Sequence, residues 1–309
     1  MKPILGILGA TGVGKSAVAV EIALKLGANH VISADSMQIY RGMDVGTAKI
    51  TSAESKGVTH YLIDVVNPDQ SFSAFDFAEM ANQIVVKHAD QTNVVVGGTG
   101  LYFDAFLHGL DFASDDQTQK IRQDMQQLLQ NQGAEAVLDV LKGLDSQVYD
   151  QIDKNNLKRV IRAIEILSTG GNLQDKPTER KDLLPHLLFV LYRDRADTYQ
   201  KINDRVDKMV EEGLLQEVER LYQQYPTRNL QSFKAIGYKE VLDHLDGLCT
   251  FEQAVEAIKI NTRHYAKRQN TYFKRMQNTV WVNVDGKTPN QIADEILAIY
   301  QNSIENASK

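Results

Sequence analysis

A loop of eight residues constrains the fold of this chain more than any other feature. The segment 9–16 reads GATGVGKS and fits the pattern GxxxxGK[ST] at every fixed position, after the apolar run 4–8 and before the helix-like stretch 16–26. Glycines let such a loop curl so that its N–H groups face an anion, and the helix N-terminus adds partial positive charge. The sequence therefore predicts a phosphate-binding loop, with Lys15 on the phosphates and the Ser16 hydroxyl as a Mg²⁺ ligand. Its candidate diphosphate- or nucleotide-binding residues are Gly9, Ala10, Thr11, Gly12, Val13, Gly14, Lys15 and Ser16.

Strand-like and helix-like segments alternate over the first 112 residues. The strand-like runs are 4–8, 31–33, 60–66 and 94–96, and residues 73–89 carry apolar side chains at helical spacing. Continuous apolar strands separated by helices predict a parallel sheet that is covered on both faces. Together with the loop, this pattern predicts an α/β fold with a P-loop NTPase-like parallel sheet core flanked by helices.

The character of the sequence changes near residue 114. Ser114-Asp-Asp-Gln117 has the signature of a capping box, which opens a helix. Further elements are predicted as helices near 134–142 and 153–168, and as strands at 187–192 and 279–285. We therefore predict a core of residues 1–113 and 186–309, whose C-terminal part is helical, and a helical insertion domain of residues 114–185.

The overall charge is acidic, but its distribution is uneven. The 309 residues include 43% hydrophobic and 24% charged side chains, which is typical of a globular protein, and the formal net charge is −6. An acidic total argues against a nucleic-acid partner, because phosphate backbones bind positive surface. Residues 258–277, however, carry six basic side chains and no acidic one, so the rest of the chain carries −12. The net charge thus conceals a concentrated basic segment.

Several classes of protein are excluded by what the sequence lacks. The single cysteine, Cys249, excludes an intrachain disulfide and a zinc cluster built from cysteines. The seven histidines are scattered without the HxxxH or HExxH spacing that places two imidazoles on one metal. No apolar run approaches the roughly 18 residues of a membrane span, and the apolar start is better explained by a first strand than by a signal peptide. We expect a cytoplasmic protein with no membrane partner.

The acidic residue that would organise a metal is not where switch and motor NTPases carry it. In those proteins a hydrophobic strand ends in an aspartate, whereas the run 94–96 ends in Gly97-Gly98-Thr99-Gly100. The run 31–33 leads instead to Asp35. Asp35 could serve a metal or act as a base, and the alternative is an aspartate that only caps a turn or a helix.

Segments along nearly the whole chain form a recognisable combination. They are DSMQIY (35–40), GTAK (46–49), GGTGLY (97–102), KRVIR (158–162), DRVDKMVEEG (204–213), AIGYKE (235–240) and RHYAKRQNTYFKR (263–275). With the phosphate loop, they resemble the tRNA dimethylallyltransferase family, the isopentenyl (IPP) transferases. The resemblance is to the bacterial type, because the C-terminal zinc finger that eukaryotic members often add is not present in this sequence.

This resemblance implies a prenyl transfer to RNA. A dimethylallyl group would pass from dimethylallyl diphosphate to the exocyclic amine of the adenosine just 3′ of the tRNA anticodon, and the loop with Mg²⁺ at Ser16 would hold the diphosphate. That amine is a poor nucleophile, because its lone pair is delocalised into the ring, and the resemblance makes Asp35 its general base. It also makes Arg205 the cation on the leaving diphosphate and Thr99 the hydroxyl at the reacting centre. Without the resemblance, Arg205 would be a surface arginine paired with Asp204 or Asp207, and Thr99 a turn residue.

Residues for tRNA binding are predicted in three groups. They are Asp35, Ser36, Met37, Gln38 and Thr99 near the reacting centre, Arg122, Lys158, Arg159, Val160, Ile161 and Arg162 in the insertion, and Arg263, Lys267 and Arg268 in the basic segment. Ser36 and Gln38 are suited to read the edge of an unstacked base, and the alternative is a polar loop.

The basic segment is the stronger indication of RNA. Lys259, Arg263 and Lys267 share one helical face, and the interleaved aromatic residues Tyr265, Tyr272 and Phe273 would supply stacking. The alternative is a solvated helix face, although such faces usually mix charges. The stripe on the insertion, Lys154, Lys158 and Arg162, is diluted by Asp153 and Glu165 and is a weaker indication.

Three other functions remain open. One is a prenyltransferase that acts on free AMP or ATP, which would need neither the basic segment nor the insertion. Another is a P-loop kinase for a small molecule, in which the insertion would be a lid. The third is an RNA-binding module with an inactive loop, and the intact Lys15, Ser16 and Asp35 count against it. We expect a monomer whose partners are dimethylallyl diphosphate and the anticodon stem-loop of tRNA.

Overall fold

A parallel sheet forms the centre of the larger of two compact units. The computed structural model describes residues 2–109, 116–154, 156–171 and 182–307. Within these residues the sheet has six strands in the order β3-β2-β4-β1-β5-β6, and every neighbouring pair is parallel. The strands are β1 (Ile4–Gly9), β2 (His30–Ser33), β3 (Thr59–Tyr61), β4 (Val94–Gly97), β5 (His186–Tyr192) and β6 (Thr279–Asn283). The predicted α/β fold with a parallel sheet is confirmed.

Helices make up most of the remaining described chain. They are α1 (Lys15–Leu26), α2 (Ser52–Ser55), α3 (Ala74–Lys87), α4 (Gly100–His108), α5 (Asp116–Leu144), α6 (Ser146–Gln151), α7 (Leu157–Ser168), α8 (Arg195–Glu211), α9 (Leu214–Gln224), α10 (Tyr238–Leu245), α11 (Phe251–Phe273) and α12 (Pro289–Ala307). Among the helices in the described part of the chain, none combines the length and the apolar character that crossing a lipid bilayer requires.

The order of the strands places the phosphate loop at the centre of the sheet. Strand β1 lies between β4 and β5 and is buried along its whole length. Loops that follow adjacent parallel strands emerge at the same edge, the carboxyl edge, and ligands in open α/β sheets bind there. The segments after β1, β2 and β4 therefore meet at this edge.

The third strand is shorter than its apolar pattern predicts. The sequence predicted a strand over 60–66, but β3 ends at Tyr61 because Leu62 and Asp64 adopt φ values of 63° and 57°. Beyond these residues the chain follows the segment after β2, where Val65 N–H donates to the carbonyl oxygen of Ile39 at 2.7 Å. The last strand also ends early, at Asn283 rather than at 285.

Buried side chains from both ends of the chain form the main core. Strands β1, β4 and β5 contribute Leu5, Val94 and Phe189, and the terminal helix α12 adds Ile296, which packs in the same cluster. The first and last described elements are thus joined by apolar burial, the main favourable term in folding.

The inserted helices form a second compact unit, residues 110–181, between the two parts of the first unit, 1–109 and 182–309. Its core contains Val137, Leu141, Val160 and Ile164, and α5 is interrupted at Gly133, whose φ is 84°. The predicted insertion, 114–185, begins and ends a few residues later. The predicted capping box at Ser114 and most of the polar stretch before β5 lie outside the described residues.

Candidate active site

A cavity of about 350 Å³ opens at the carboxyl edge of the sheet. Its walls come from the phosphate loop, from the segments after β2 and β4, and from α8 and α11. The residues that line it include Thr11, Lys15, Ser16, Asp35, Ser36, Met37, Gln38, Gly46, Thr47, Arg205, Tyr265, Arg268 and Gln269.

The phosphate loop adopts the conformation that its glycines predict. Gly14 caps α1 with a φ of 91°, a value that favours glycine, so the helix begins at Lys15. The ammonium of Lys15 folds back over the loop and donates to the carbonyl oxygen of Ala10 at 2.8 Å. The loop, the helix N-terminus and this ammonium together face the cavity.

Burial changes the protonation of Lys15. Removal from water disfavours the charged ammonium and lowers the pKa of Lys15 to about 8. The carboxylate of Asp35 acts in the opposite direction, and the guanidinium of Arg205 adds to the lowering. An anion bound in the loop would add to the compensating charge of Asp35 and raise the pKa of Lys15 again.

Asp35 stabilises the turn after β2 with one carboxylate oxygen and also lines the cavity. Its Oδ1 accepts the N–H groups of Met37 at 2.9 Å and Gln38 at 3.3 Å, so it does cap a turn, as the alternative interpretation held. Its Oδ2 has no hydrogen-bond partner among the residues that the structure describes. The turn thus fixes the carboxylate and leaves one oxygen for the cavity.

Arg205 reaches into the cavity from α8. Its Nη1 donates to Thr11 Oγ1 at 3.4 Å and its Nη2 to the carbonyl oxygen of Thr47 at 3.3 Å. Burial lowers the pKa of Arg205, while Asp35 partly offsets this effect. The alternative of a surface arginine paired with a neighbouring aspartate is wrong, because Asp204 accepts from Gln200 and Asp207 pairs with Lys259.

Thr99 and Tyr265 meet beside Asp35. The hydroxyl of Thr99 accepts the N–H of Ser36 at 3.3 Å, and the Tyr265 hydroxyl contacts the side chains of Thr99 and Gln269. Burial raises the pKa of Tyr265 to about 12, and the nearby carboxylate of Asp35 adds to this shift. Tyr265 is therefore a neutral hydroxyl inside the cavity rather than one of the outer stacking residues predicted for the basic segment.

Gln269 ties two loops together, and the sequence did not single it out. Its Oε1 accepts the N–H of Thr11 at 2.9 Å, and its Nε2 donates to the carbonyl oxygen of Gly98 at 2.9 Å. The side chain thereby sets the spacing between the phosphate loop and the loop after β4. The available signal was its position four residues after Tyr265, which places both on one face of α11.

A buried carboxylate from α9 shapes the segment 43–48. Glu217 accepts the N–H groups of Asp44, Val45 and Gly46 at 2.8, 2.8 and 3.0 Å, and Tyr238 donates its hydroxyl to the same carboxylate at 2.5 Å. A side chain at Gly46 would start 2.5 Å from the Tyr238 ring, so only glycine fits there. Apart from the resemblance at GTAK (46–49), no sequence pattern pointed to this role.

Comparison with known proteins identifies the family. The family model of the IPP transferases matches residues 38–276. The chain belongs to the IPP transferase family. The tRNA dimethylallyltransferase of Clostridioides difficile is 39% identical over 308 residues, which cover 98% of this chain and 99% of that protein. The tRNA dimethylallyltransferase of Bacillus licheniformis is 43% identical, with 90% of each chain covered.

Solved structures agree with this assignment. The full-length tRNA isopentenylpyrophosphate transferase of Bacillus halodurans superposes with a TM-score of 0.75 at 38% identity, over 100% of this chain and 99% of that one. A eukaryotic dimethylallyltransferase acting on tRNA has a TM-score of 0.79 at 24% identity, with 99% and 80% covered, and shows the same fold. The predicted resemblance to this family of prenyl-transferring enzymes is confirmed.

In this IPP transferase, the residues predicted to read a base lie at the cavity. Ser36 and Met37 line it directly. The amide of Gln38 also lines it, but its Nε2 donates to the carbonyl oxygens of Thr47 at 3.2 Å and Ala48 at 3.4 Å. Gln38 therefore holds the segment 43–48 against the turn after β2.

The basic segment divides into an inner and an outer part. On the inner part, Lys259 pairs with Asp207 at 2.5 Å, and Arg263 donates to Asn203 Oδ1 at 2.8 Å and to Glu256 at 3.4 Å. These two cations, predicted as part of a common RNA-binding face, are bound to side chains of the protein.

The outer part keeps its charges towards solvent. A groove of about 390 Å³ is lined by His264, Lys267, Arg268, Thr271, Tyr272 and Arg275, and Lys267 and Arg268 are exposed. Phe273 is fully buried and Tyr272 donates its hydroxyl to Asp104, so the prediction that Phe273 offers a stacking surface is wrong.

In the helical unit, the predicted RNA-binding residues have different surroundings. Arg122 and Arg162 both bind Glu165, at 2.6 and 2.9 Å, and Arg159 is exposed. The side chains of Val160 and Ile161 are buried in the core of the unit, so any contact of these two residues with RNA would use the backbone, and their place in the RNA-binding set stays a prediction. The side chain of Lys158 lies outside the described residues.

Proposed function

We propose that this chain transfers a dimethylallyl group from dimethylallyl diphosphate to the exocyclic amine of the adenosine just 3′ of the tRNA anticodon, with release of diphosphate. The observation that carries the proposal is that one cavity holds the phosphate loop, the free oxygen of Asp35 and the guanidinium of Arg205. The names of the relatives, tRNA dimethylallyltransferases at about 40% identity, support it.

The diphosphate would lie in the phosphate loop. Lys15 and the loop N–H groups would bind it from one side, and Arg205 from the other, so that the charge that develops on the leaving group meets fixed cations. The hydroxyl of Ser16 lies at the cavity and is a hard oxygen ligand of the kind that Mg²⁺ prefers, which leaves Oδ2 of Asp35 to act on the substrate. When bound there, Mg²⁺ would neutralise part of the diphosphate charge.

Asp35 would act as the general base. The amine nitrogen forms a bond to the allylic carbon, the carbon–oxygen bond to diphosphate breaks with its electron pair on oxygen, and the amine proton passes to Asp35 Oδ2. Assistance of this kind typically contributes about 10²–10⁴-fold in rate. Thr99 and Tyr265 lie beside the Asp35 carboxylate. They would position the adenine ring whose exocyclic amine reacts.

The substrate side of the cavity favours RNA over a free nucleotide. Arg268 lines both the cavity and the outer groove, so the two adjoin at this residue of α11. The exposed cations of the groove, Lys267 among them, are placed to contact phosphates of a chain whose base has entered the cavity. A prenyltransferase for AMP would make no use of this groove.

One assay tests the proposal against its alternatives. The protein is incubated with dimethylallyl diphosphate, Mg²⁺ and either unmodified tRNA or AMP, and the product is examined by mass spectrometry. We expect the mass of one prenyl group on the adenosine next to the anticodon, and none on AMP. Prenylation of AMP alone would contradict the RNA substrate, and phosphoryl transfer from ATP without prenylation would contradict the whole proposal.

The assembly and the location follow from the same site. We propose that the enzyme acts as a monomer, because this chain by itself supplies the phosphate loop, Asp35 and Arg205 that the reaction requires. A tRNA substrate supports a cytoplasmic location.

A further inference from the structure

Three potential metal ligands meet at the amino edge of the sheet, opposite the cavity. His108 ends α4, Asp182 precedes β5, and His186 is the first residue of β5, where it pairs with Ile4 at the start of β1. One ligand atom from each of the three residues lies within 4.8 Å of the other two. The phosphate loop follows the other end of β1, so this cluster is separate from the active site.

The ring of His186 is oriented as in a metal site, and the ring of His108 lies between two carboxylates. Nδ1 of His186 lies 2.8 Å from the carbonyl oxygen of Leu184, which can only accept, so Nδ1 carries the proton and Nε2 keeps a lone pair. Nδ1 of His108 lies 3.0 Å from Asp182 Oδ1, and its Nε2 faces the buried carboxylate of Asp104 at 4.0 Å. Metal-binding histidines commonly direct their second nitrogen to a carbonyl or a carboxylate, as His186 does.

We propose that His108, Asp182 and His186 form a binding site for a divalent transition metal of the Zn²⁺ class. Two imidazole nitrogens and one carboxylate oxygen suit Zn²⁺ and its neighbours, whereas Mg²⁺ and Ca²⁺ prefer oxygen alone. Zinc ligands bond at about 2.0–2.2 Å, so two of them stand at most about 4.4 Å apart, and small side-chain rotations close the cluster. Water would complete the coordination.

An ion pair between His108 and Asp182 is the competing explanation. It uses only the 3.0 Å contact between these two residues and gives no role to the second imidazole, whose ring centroid lies 5.5 Å from that of His108. A metal accounts for all three residues, and the tautomer of His186 is compatible with it. The two explanations differ in the expected affinity for Zn²⁺. Only the metal site predicts that a substitution of His186 weakens Zn²⁺ binding.

The position of the cluster in the chain indicates a structural role. His108 and Asp182 stand immediately before and after the inserted unit, residues 110–181. A metal bound to both would join the segment that leaves the core to the segment that re-enters it, and a link that closes a long loop stabilises the folded state most in principle. The site would thus raise stability without taking part in prenyl transfer.

Titration of the metal-free full-length chain with Zn²⁺, against a chromophoric zinc indicator, tests this site directly. We expect one tight ion per chain, and affinity at least tenfold weaker in His108→Gln and in His186→Gln. His244→Gln is the matched control, because His244 is also half-buried and binds a backbone carbonyl, that of Cys249. Equal affinity in the wild type and in His186→Gln would overturn the proposal.

A second measurement separates this site from the phosphate loop. Ser16→Ala should retain the tight Zn²⁺ ion, and Co²⁺ bound to the wild type should give visible absorption bands of a low-coordinate nitrogen and oxygen site that are absent in His186→Gln. Zn²⁺ should also raise the melting temperature of the wild type and of His244→Gln but not of His186→Gln. Loss of the ion in Ser16→Ala would show instead that the metal binds at the loop.

Discussion

The two edges of the same sheet gather functional side chains in different ways. At the carboxyl edge, residues that are neighbours in sequence act together, as in the loop 9–16 and the turn at Asp35. At the amino edge, His108, Asp182 and His186 come from segments that an entire helical unit separates. Both clusters depend on the fold, but only the cluster at the carboxyl edge corresponds to contiguous motifs in the sequence. The comparison predicts that changes at the carboxyl edge alter catalysis, whereas changes at the amino edge alter metal-dependent stability.

The largest expected effect is that of Asp35→Asn. The amide oxygen can still accept the N–H groups of Met37 and Gln38, so the turn should persist, but the base is lost. We expect kcat to fall about 10²–10⁴-fold in the tRNA prenylation assay, with tRNA binding within a few-fold of the wild type. Asp69→Asn, at an exposed aspartate, is the control. A large loss of tRNA affinity would assign Asp35 to recognition instead.

Arg205→Ala tests the electrostatic part of the carboxyl edge. The change removes the guanidinium that lies over the phosphate loop and contacts Thr11 and Thr47. Loss of one preorganised group on a developing charge costs about 10²–10³-fold in kcat. Arg195→Ala, at the exposed start of the same helix, should leave kcat unchanged. If both variants lose activity equally, α8 matters for folding rather than for the leaving group.

The pH dependence should reveal Lys15. Because burial lowers its pKa to about 8, the ammonium is present below that pH and is lost as the pH rises through it. In the proposed mechanism the charged form binds the diphosphate, so kcat/KM for dimethylallyl diphosphate should fall about tenfold per pH unit above about 8. In Lys15→Arg this limb should move to higher pH. A profile that is flat to pH 10 would contradict the role of this lysine.

A smaller effect is expected from Lys267→Gln combined with Arg268→Gln in the outer groove. Each phosphate contact contributes about one to the slope of log affinity against log salt, so the slope should flatten by about two and tRNA should bind more weakly at low salt. Lys201→Gln, an exposed lysine on α8, serves as the control. An unchanged salt slope would remove the groove from the RNA-binding surface.

The smallest expected effect on catalysis is at the amino edge. His186→Gln should leave kcat and KM within about twofold of the wild type, because the residue starts β5 while the chemistry takes place beyond its other end. The same variant should lose the rise in melting temperature with Zn²⁺. A catalytic defect in His186→Gln would show that the two edges are coupled, and the comparison would fail.

The sequence predicted features that depend on neighbouring residues and missed side-chain contacts between segments that are distant in the chain. The phosphate loop, the position of Asp35 and the alternation of strands and helices were all readable, because each depends on residues that are close in the chain. Gln269 and Glu217 were not, because they act on the backbone of loops far away in the sequence. The spacing of Gln269 and Tyr265 placed both on one face of α11, but no sequence pattern indicated which distant loops Gln269 and Glu217 would contact.

Tertiary contacts also overrode two correct local patterns. The run 60–66 has the apolar character of a strand, yet the left-handed φ of Leu62 and Asp64 ends β3, and Lys49 binds the displaced Asp64. The spacing of Lys259 and Arg263 does place them on one face of a helix, but α8 presents Asp207 and Asn203 to that face. Helical periodicity shows which residues share a face and leaves open what that face meets.

The contacts around Glu217 make substitutions at Gly46, Glu217 and Tyr238 depend on one another. Any side chain at Gly46 meets the ring of Tyr238, and a smaller residue at 238 would deprive the buried carboxylate of Glu217 of its hydroxyl donor. Without that carboxylate, three N–H groups of the segment 43–48 lose their acceptor. Substitutions at these positions are thus strongly epistatic, and directed evolution of the cavity would have to change all three together or leave all three alone.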